Sequence, residues 1–141
     1  MDIKVRIKSP KKFNVEELLN FLSSELNINE DVELLVAYND KLLDKLSTDS
    51  IEFKALLYSP LPHHYVLYVR ENVFNLQQIL CHEMVHLQQY ERGDLKMSND
   101  FKTVTWKGEE YTNDSYYEDR EWEVEAFSKQ NKLWKKFKNG H

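Results

Sequence analysis

The chain has 141 residues, 41% of them hydrophobic, which is enough apolar material for one packed core and points to a single domain over residues 1–141. Nineteen Lys and Arg against 24 Asp and Glu leave a formal charge of −5, a balance that speaks against sequence-independent binding to nucleic acid or to an anionic membrane. No apolar run approaches the roughly 20 residues of a spanning helix, the amino terminus lacks the apolar core of a secretion signal, and one cysteine, Cys81, excludes an internal disulfide, so a cytoplasmic location is expected.

Ile3, Val5 and Ile7 alternate with Asp2, Lys4, Arg6 and Lys8, and this period of two predicts a half-buried strand that Pro10 ends. Val15, Leu18, Leu19, Leu22 and Leu26 then fall at helical spacing, with Asn14 placed to cap the helix and Glu17 three residues on to bond back. Val32–Tyr38 and Ile51–Tyr58 are short runs of strand formers. The polar stretch between them fits helix or loop. After Pro60 and Pro62, His64–Arg70 carries the strongest strand signal of the chain.

A helical pattern follows from Leu76 to Arg92, with Asn75 as cap, Gln78 in position to bond back and Gly93 closing it. Thr103–Trp106 and Tyr111–Thr112 flank Lys107-Gly108-Glu109-Glu110 in the manner of a hairpin. The last predicted element is a helix from about Tyr117 to Lys138. Residues 109–125 hold eight acids, and Lys129, Lys132, Lys135, Lys136 and Lys138 follow, which matches a helix dipole.

The chemistry lies in His82-Glu83-Met84-Val85-His86. Histidines four residues apart on a helix stand one turn above each other, so both imidazoles reach one cation at about 2.0–2.1 Å. Glu83 points to the same side, about 100° round from His82. It is placed to act as a base: zinc lowers the pKa of a water towards about 7, and the carboxylate takes its proton. With five His and fifteen Glu, the pattern arises by chance on the order of 0.02 times per chain. Two ordinary core histidines are the plainer reading, but the motif shares a face with Leu76, Ile79, Leu87 and Tyr90, and a buried histidine pair needs a partner.

A catalytic zinc takes three protein ligands and one open position. No histidine stands at 89 or 92, where Gln and Arg occur, so a carboxylate of the last helix is the natural third ligand. With Trp122 at zero, Ala126, Phe127, Leu133, Trp134 and Phe137 fall between about 0° and 140°, and Glu123 falls inside that arc at about 100°. A carboxylate within an apolar stripe is costly unless paired or metal-bound, which selects Glu123. Glu121 and Glu125, at about 260° and 300°, read as a solvated face with weak ion pairs. Asp119 is the reserve ligand, although its position also suits a helix cap.

His82–His86 followed by Leu87–Leu95, then Trp106-Lys107-Gly108 and Arg120–Ala126, resembles the gluzincin-type zinc metallopeptidases, especially small bacterial and phage ones. The Glu123-to-Ala126 spacing is also similar to the metal-binding helix of ImmA/IrrE-type regulatory peptidases. The likeness covers residues 64–127. It implies a zincin-like α+β fold, a small mixed sheet packed against an active-site helix and a C-terminal ligand-bearing helix. It also implies that the strand before the active-site helix, here His64–Arg70, lies along the cleft and pairs with an extended peptide or protein substrate. One departure matters: many such enzymes place an Asp four residues after the glutamate ligand to orient a histidine, and here that residue is Phe127, so orienting groups must come from elsewhere. A sensing or DNA-binding partner domain of the ImmA/IrrE kind is not expected either, and a regulatory role loses its support with it.

The remaining candidates read as structural. Tyr111, Tyr116, Tyr117 and Arg120 take no assigned role, His63 and His64 are expected at a strand end or surface, Cys81 and Trp106 in the packing. The expected activity is peptide-bond hydrolysis with Zn2+ on His82, His86 and Glu123 and with Glu83 as general base. The competing expectation is a non-catalytic binding or scaffold protein with a metallopeptidase-like fold and a vestigial or structural metal site. Glu83 counts against it, since a structural zinc has no use for an acid there.

Overall fold

The structure is a computed structural model that describes residues 1–48, 52–112 and 120–140. Among these residues it holds four helices and two sheets in a mixed α+β arrangement. The order is β1 (Asp2–Val5), α1 (Val15–Glu25), β2 (Glu33–Tyr38), α2 (Asp40–Leu46), β3 (Ala55–Leu61), β4 (His64–Val69), α3 (Leu76–Glu91), β5 (Leu95–Met97), β6 (Thr103–Trp106), β7 (Glu109–Thr112) and α4 (Glu121–Gly140). No helix among them is long and apolar enough to cross a membrane.

The larger sheet has the order β1-β2-β4-β3, with β1, β2 and β4 parallel and β3 antiparallel at one edge. His64–Val69 is therefore an inner strand, hydrogen-bonded by β2 on one side and β3 on the other. This corrects the expectation that it lies open along a cleft: among the described residues the unpaired edge next to the site belongs to β3. That edge also explains why β3 runs on past the expected end at Tyr58 to include Pro60. A proline has no N–H to give a ladder, so strands admit it at an edge or bulge, and the register of β3 on β4 shifts between Tyr58 and Leu61. Ile51, the expected start of this strand, lies outside the described residues.

The Asn14 side chain caps α1 by accepting from the Glu17 N–H at 2.9 Å. Val15, Leu18, Leu19 and Leu22 are fully buried. In the polar stretch that fitted helix or loop, Asn39 caps α2 through the Leu42 N–H at 3.1 Å. Asn75 does not cap α3 with its side chain. Its carbonyl oxygen instead accepts from the N–H groups of Gln78 and Ile79 at 3.1 and 3.2 Å. At the other end Gly93 takes φ +81°, with Gly93 N–H on Tyr90 O and Asp94 N–H on Gln89 O, the paired closure that needs a left-handed residue.

That turn feeds β5, a strand of three residues that pairs with β6 and that the sequence pattern did not announce. The hairpin expected after it is present with a tighter turn. Only Lys107 and Gly108 form it, both at positive φ, the two-residue turn whose twist matches antiparallel strands. Glu109 and Glu110 are already in β7. The start expected for the last helix, Tyr117, lies outside the described residues.

Two apolar clusters hold these pieces. The larger joins the four-stranded sheet to α1, α3 and the Ala126 and Phe137 positions of α4. The smaller consists of Leu95, Val104, Trp106 and Trp122, and fixes the β5-β6-β7 sheet to the start of α4. Tyr90 packs against both.

Candidate metal centre

The site forms where α3 and α4 cross. His82 and His86 face each other one turn apart on α3, and α4 brings Glu123 against both. His82 Nε2 and His86 Nε2 lie 2.8 and 2.9 Å from Glu123 Oε1, and 3.1 Å from each other. The three side chains are only 13%, 9% and 12% exposed, so little of their hydrogen-bonding capacity reaches bulk water and their close partners matter.

The hydrogen bonds on the far side of each ring constrain what those partners can be. Gln89 is fully buried, and its Nε2 donates to the Trp122 carbonyl at 3.0 Å and to Glu125 Oε1 at 2.7 Å. Both partners can only accept, so the orientation of the amide is fixed. Its Oε1 then faces His86 Nδ1 at 2.7 Å, and Nδ1 must carry the hydrogen. Gln130 Oε1 lies 2.8 Å from His82 Nδ1, which with the amide in this orientation places a hydrogen on that Nδ1 as well. In neutral imidazoles this leaves a lone pair on each Nε2, aimed at the other and at a carboxylate oxygen. Three acceptors converging on one point in a largely buried site repel one another unless a positive species sits among them.

A proton is one such species. Burial on its own would lift the Glu123 carboxyl, but the facing His86 charge and the two histidine hydrogen bonds bring it down to about 2. For His86 burial acts downward, and the Glu123 carboxylate beside it wins and carries the imidazole up to about 9. A divalent ion is the other. Tetrahedral zinc with ligands at about 2.0–2.1 Å separates them by about 3.3 Å, so the three side chains, now 2.8 to 3.1 Å apart, would move slightly apart to hold it. Two imidazole nitrogens and one carboxylate oxygen form a set that could hold a metal ion, and some catalytic zinc sites use the same donors.

The chain matches no family model, no curated protein and no solved structure. The functional reading therefore stands on the residues and their geometry.

Glu83 is half-buried and lines the same cavity of about 330 Å³ as His82, His86, Tyr90 and Glu123, with Phe53–Leu57 across from them. Burial, which outweighs the two nearby histidines, raises its pKa. It is thereby a better proton acceptor than a carboxylate in water. Tyr90 is four residues beyond His86 on the same helix face, and among the described residues nothing hydrogen-bonds its hydroxyl.

Glu125 is not the weakly paired surface acid expected. Arg92 Nη2 and Nη1 reach it at 2.9 and 3.3 Å and Lys129 Nζ at 3.2 Å, besides Gln89. These bonds, with Arg92 foremost, overcome burial and lower its pKa to about 2. Glu121 is exposed, yet it accepts from Trp106 Nε1 at 2.7 Å. Phe127, standing where an orienting Asp was looked for, packs its ring 4.6 Å from that of His82.

Asp119, Tyr116 and Tyr117 lie outside the described residues. Arg120 sits over the Tyr111 ring at 4.8 Å, and neither lines the cavity. His63 and His64 are exposed and pair with Glu91 and Glu33. Cys81 is buried, its thiol pushed up to about 12 by that burial.

Gln89, Gln130, Glu125 and Tyr90 are the site residues that sequence reasoning missed. Gln130 had a signal: by the arithmetic that singled out Glu123 it falls at about 80°, a polar residue inside the apolar arc of α4.

Proposed function

We propose that the protein is a zinc-dependent peptidase of zincin-like, gluzincin type, with His82, His86 and Glu123 as metal ligands and Glu83 as general base. The observation that carries this reading is the convergence of three lone-pair atoms on one point beside a carboxylate of raised pKa, all in one cavity. Zinc held by His82, His86 and Glu123 would lower the pKa of a bound water towards neutrality and polarise a carbonyl. Glu83 takes the proton of the attacking water and returns it to the amine nitrogen as the peptide bond breaks. The Tyr90 hydroxyl, kept protonated by burial and by the Glu83 and Glu123 charges, is the donor available to the carbonyl oxygen as it gains charge. The free edge of β3 offers ladder groups to an extended peptide beside Glu83, so a peptide or protein segment in strand conformation is the substrate that fits.

Metal content and peptide hydrolysis measured together test the reading. Glu83→Gln is expected to keep zinc and lose turnover, Glu123→Ala to bind zinc poorly, and Tyr90→Phe to keep zinc and lose about 100- to 1,000-fold in kcat. Undiminished hydrolysis by Glu83→Gln would refute it. The non-catalytic alternative predicts no hydrolysis by any form, with zinc retained.

A further inference from the structure

Among the described residues Gln89 is the one fully buried polar residue at the centre that is not itself a proposed ligand, and a buried amide is costly unless its groups are bonded. Three of its bonds are accounted for, and they are divided between two helices. Toward α3, its oxygen accepts from His86 Nδ1 at 2.7 Å. Toward α4, its two N–H groups go to the Trp122 carbonyl and the Glu125 carboxylate at 3.0 and 2.7 Å. Trp122 and Glu125 flank Glu123 in the chain, one residue before and two after. The same amide therefore grips the imidazole of one proposed ligand and, on either side of another, a backbone carbonyl and a side-chain carboxylate. Arg92 and Lys129 hold Glu125 from outside, so the amide cannot turn over without breaking an ion-paired contact.

We propose that Gln89 is the positioning residue of this centre: one end fixes the tautomer of His86 so that Nε2 faces Glu123, and the other seats α4 so that Glu123 arrives there. A buried carboxamide does here what an orienting carboxylate does in other histidine-metal sites, and it leaves Glu125 to carry the charge nearer to solvent. The zinc arm of this proposal rests on the functional reading above. The tautomer arm does not.

The test compares wild type, Gln89→Leu and Glu125→Ala in zinc affinity, measured by chelator competition, and in the NMR signal of the His86 Nδ1–H. Gln89→Leu is expected to bind zinc about 10- to 100-fold more weakly, and its Nδ1–H should exchange too fast to observe. Glu125→Ala, which frees one end of the amide only, should shift both readouts the same way by less, and it decides the matter if Gln89→Leu does not fold. A loss of thermal stability alone, with wild-type zinc affinity and a protected Nδ1–H, overturns the proposal and leaves Gln89 as a packing residue. If the wild type takes up no zinc, the functional reading falls, and the Nδ1–H of the metal-free protein decides this one: lost in Gln89→Leu it stands, retained it fails.

Discussion

At Glu123 and His86, burial and charge act in opposite directions and charge wins, which ties the stability of the metal-free chain to pH. His86 has its pKa raised from 6.5 to about 9, so its contribution is complete below 6.5 and fades as the pH rises through 9. Glu123 and Glu125 are lowered from 4.5 to about 2, so theirs is complete above 4.5 and fades as the pH falls through 2. The melting temperature of chelator-treated protein should therefore fall as the pH drops below 4.5 and as it rises above 6.5, and ionisation of Glu83, whose pKa burial raises, adds a loss that begins above 4.5. On the proposed reading zinc would take the place of the His86 proton, so adding it should reduce the alkaline fall. A metal-free melting temperature that stays flat between pH 6.5 and 9 would contradict the His86–Glu123 pairing. At this scale the sequence was informative where a residue violated its surroundings. Glu123 stood out as a carboxylate in an apolar arc, while Glu125 was misread because a helical wheel shows which face a residue takes on its own helix and is silent about the Gln89 and Arg92 that another helix brings to it.

Among the elements, α3 was the most legible, because helical spacing, a motif and a terminal glycine all agreed. Gly93 is the point where that agreement can be tested. Its φ of +81° strains any residue with a Cβ, and nothing lies within 4 Å of where that atom would go. Gly93→Ala should accordingly cost about 1–2 kcal/mol from backbone strain alone, read as a lower urea midpoint with an unchanged slope. A neutral substitution would mean that the turn relaxes. The strand order was beyond reach of local pattern: β4 has the stronger strand signal, yet β3 holds the edge, since alternation and apolar content describe a strand's faces and say nothing of its neighbours. The three-residue β5 is too short to show a period at all.

For the molecule as a whole, the two apolar clusters meet along α3 and α4, and the His82–His86–Glu123 group stands on that seam. The far end of α4 is anchored elsewhere, by Trp134 and Phe137 against Phe13 and Phe21 and by Lys136 on Glu25 at 2.8 Å. A zinc ion would then bind the near end of α4 to α3 and close the seam from the other side. A ligand present at about 1,000 times its dissociation constant adds about 4 kcal/mol to the folded state. Composition made one core predictable; that the small sheet brings a second core to the site was not, because its contacts join β5 and β6 to Trp122 across a chain separation that no local pattern spans. The account is tested most directly by titrating the metal-free protein with zinc and recording the zinc X-ray absorption edge of the product. It predicts one zinc per chain with two imidazole nitrogens and a carboxylate oxygen in its coordination shell, and loss of the oxygen signature and of tight binding in Glu123→Ala. No stoichiometric zinc, or a coordination shell unchanged by Glu123→Ala, would contradict it.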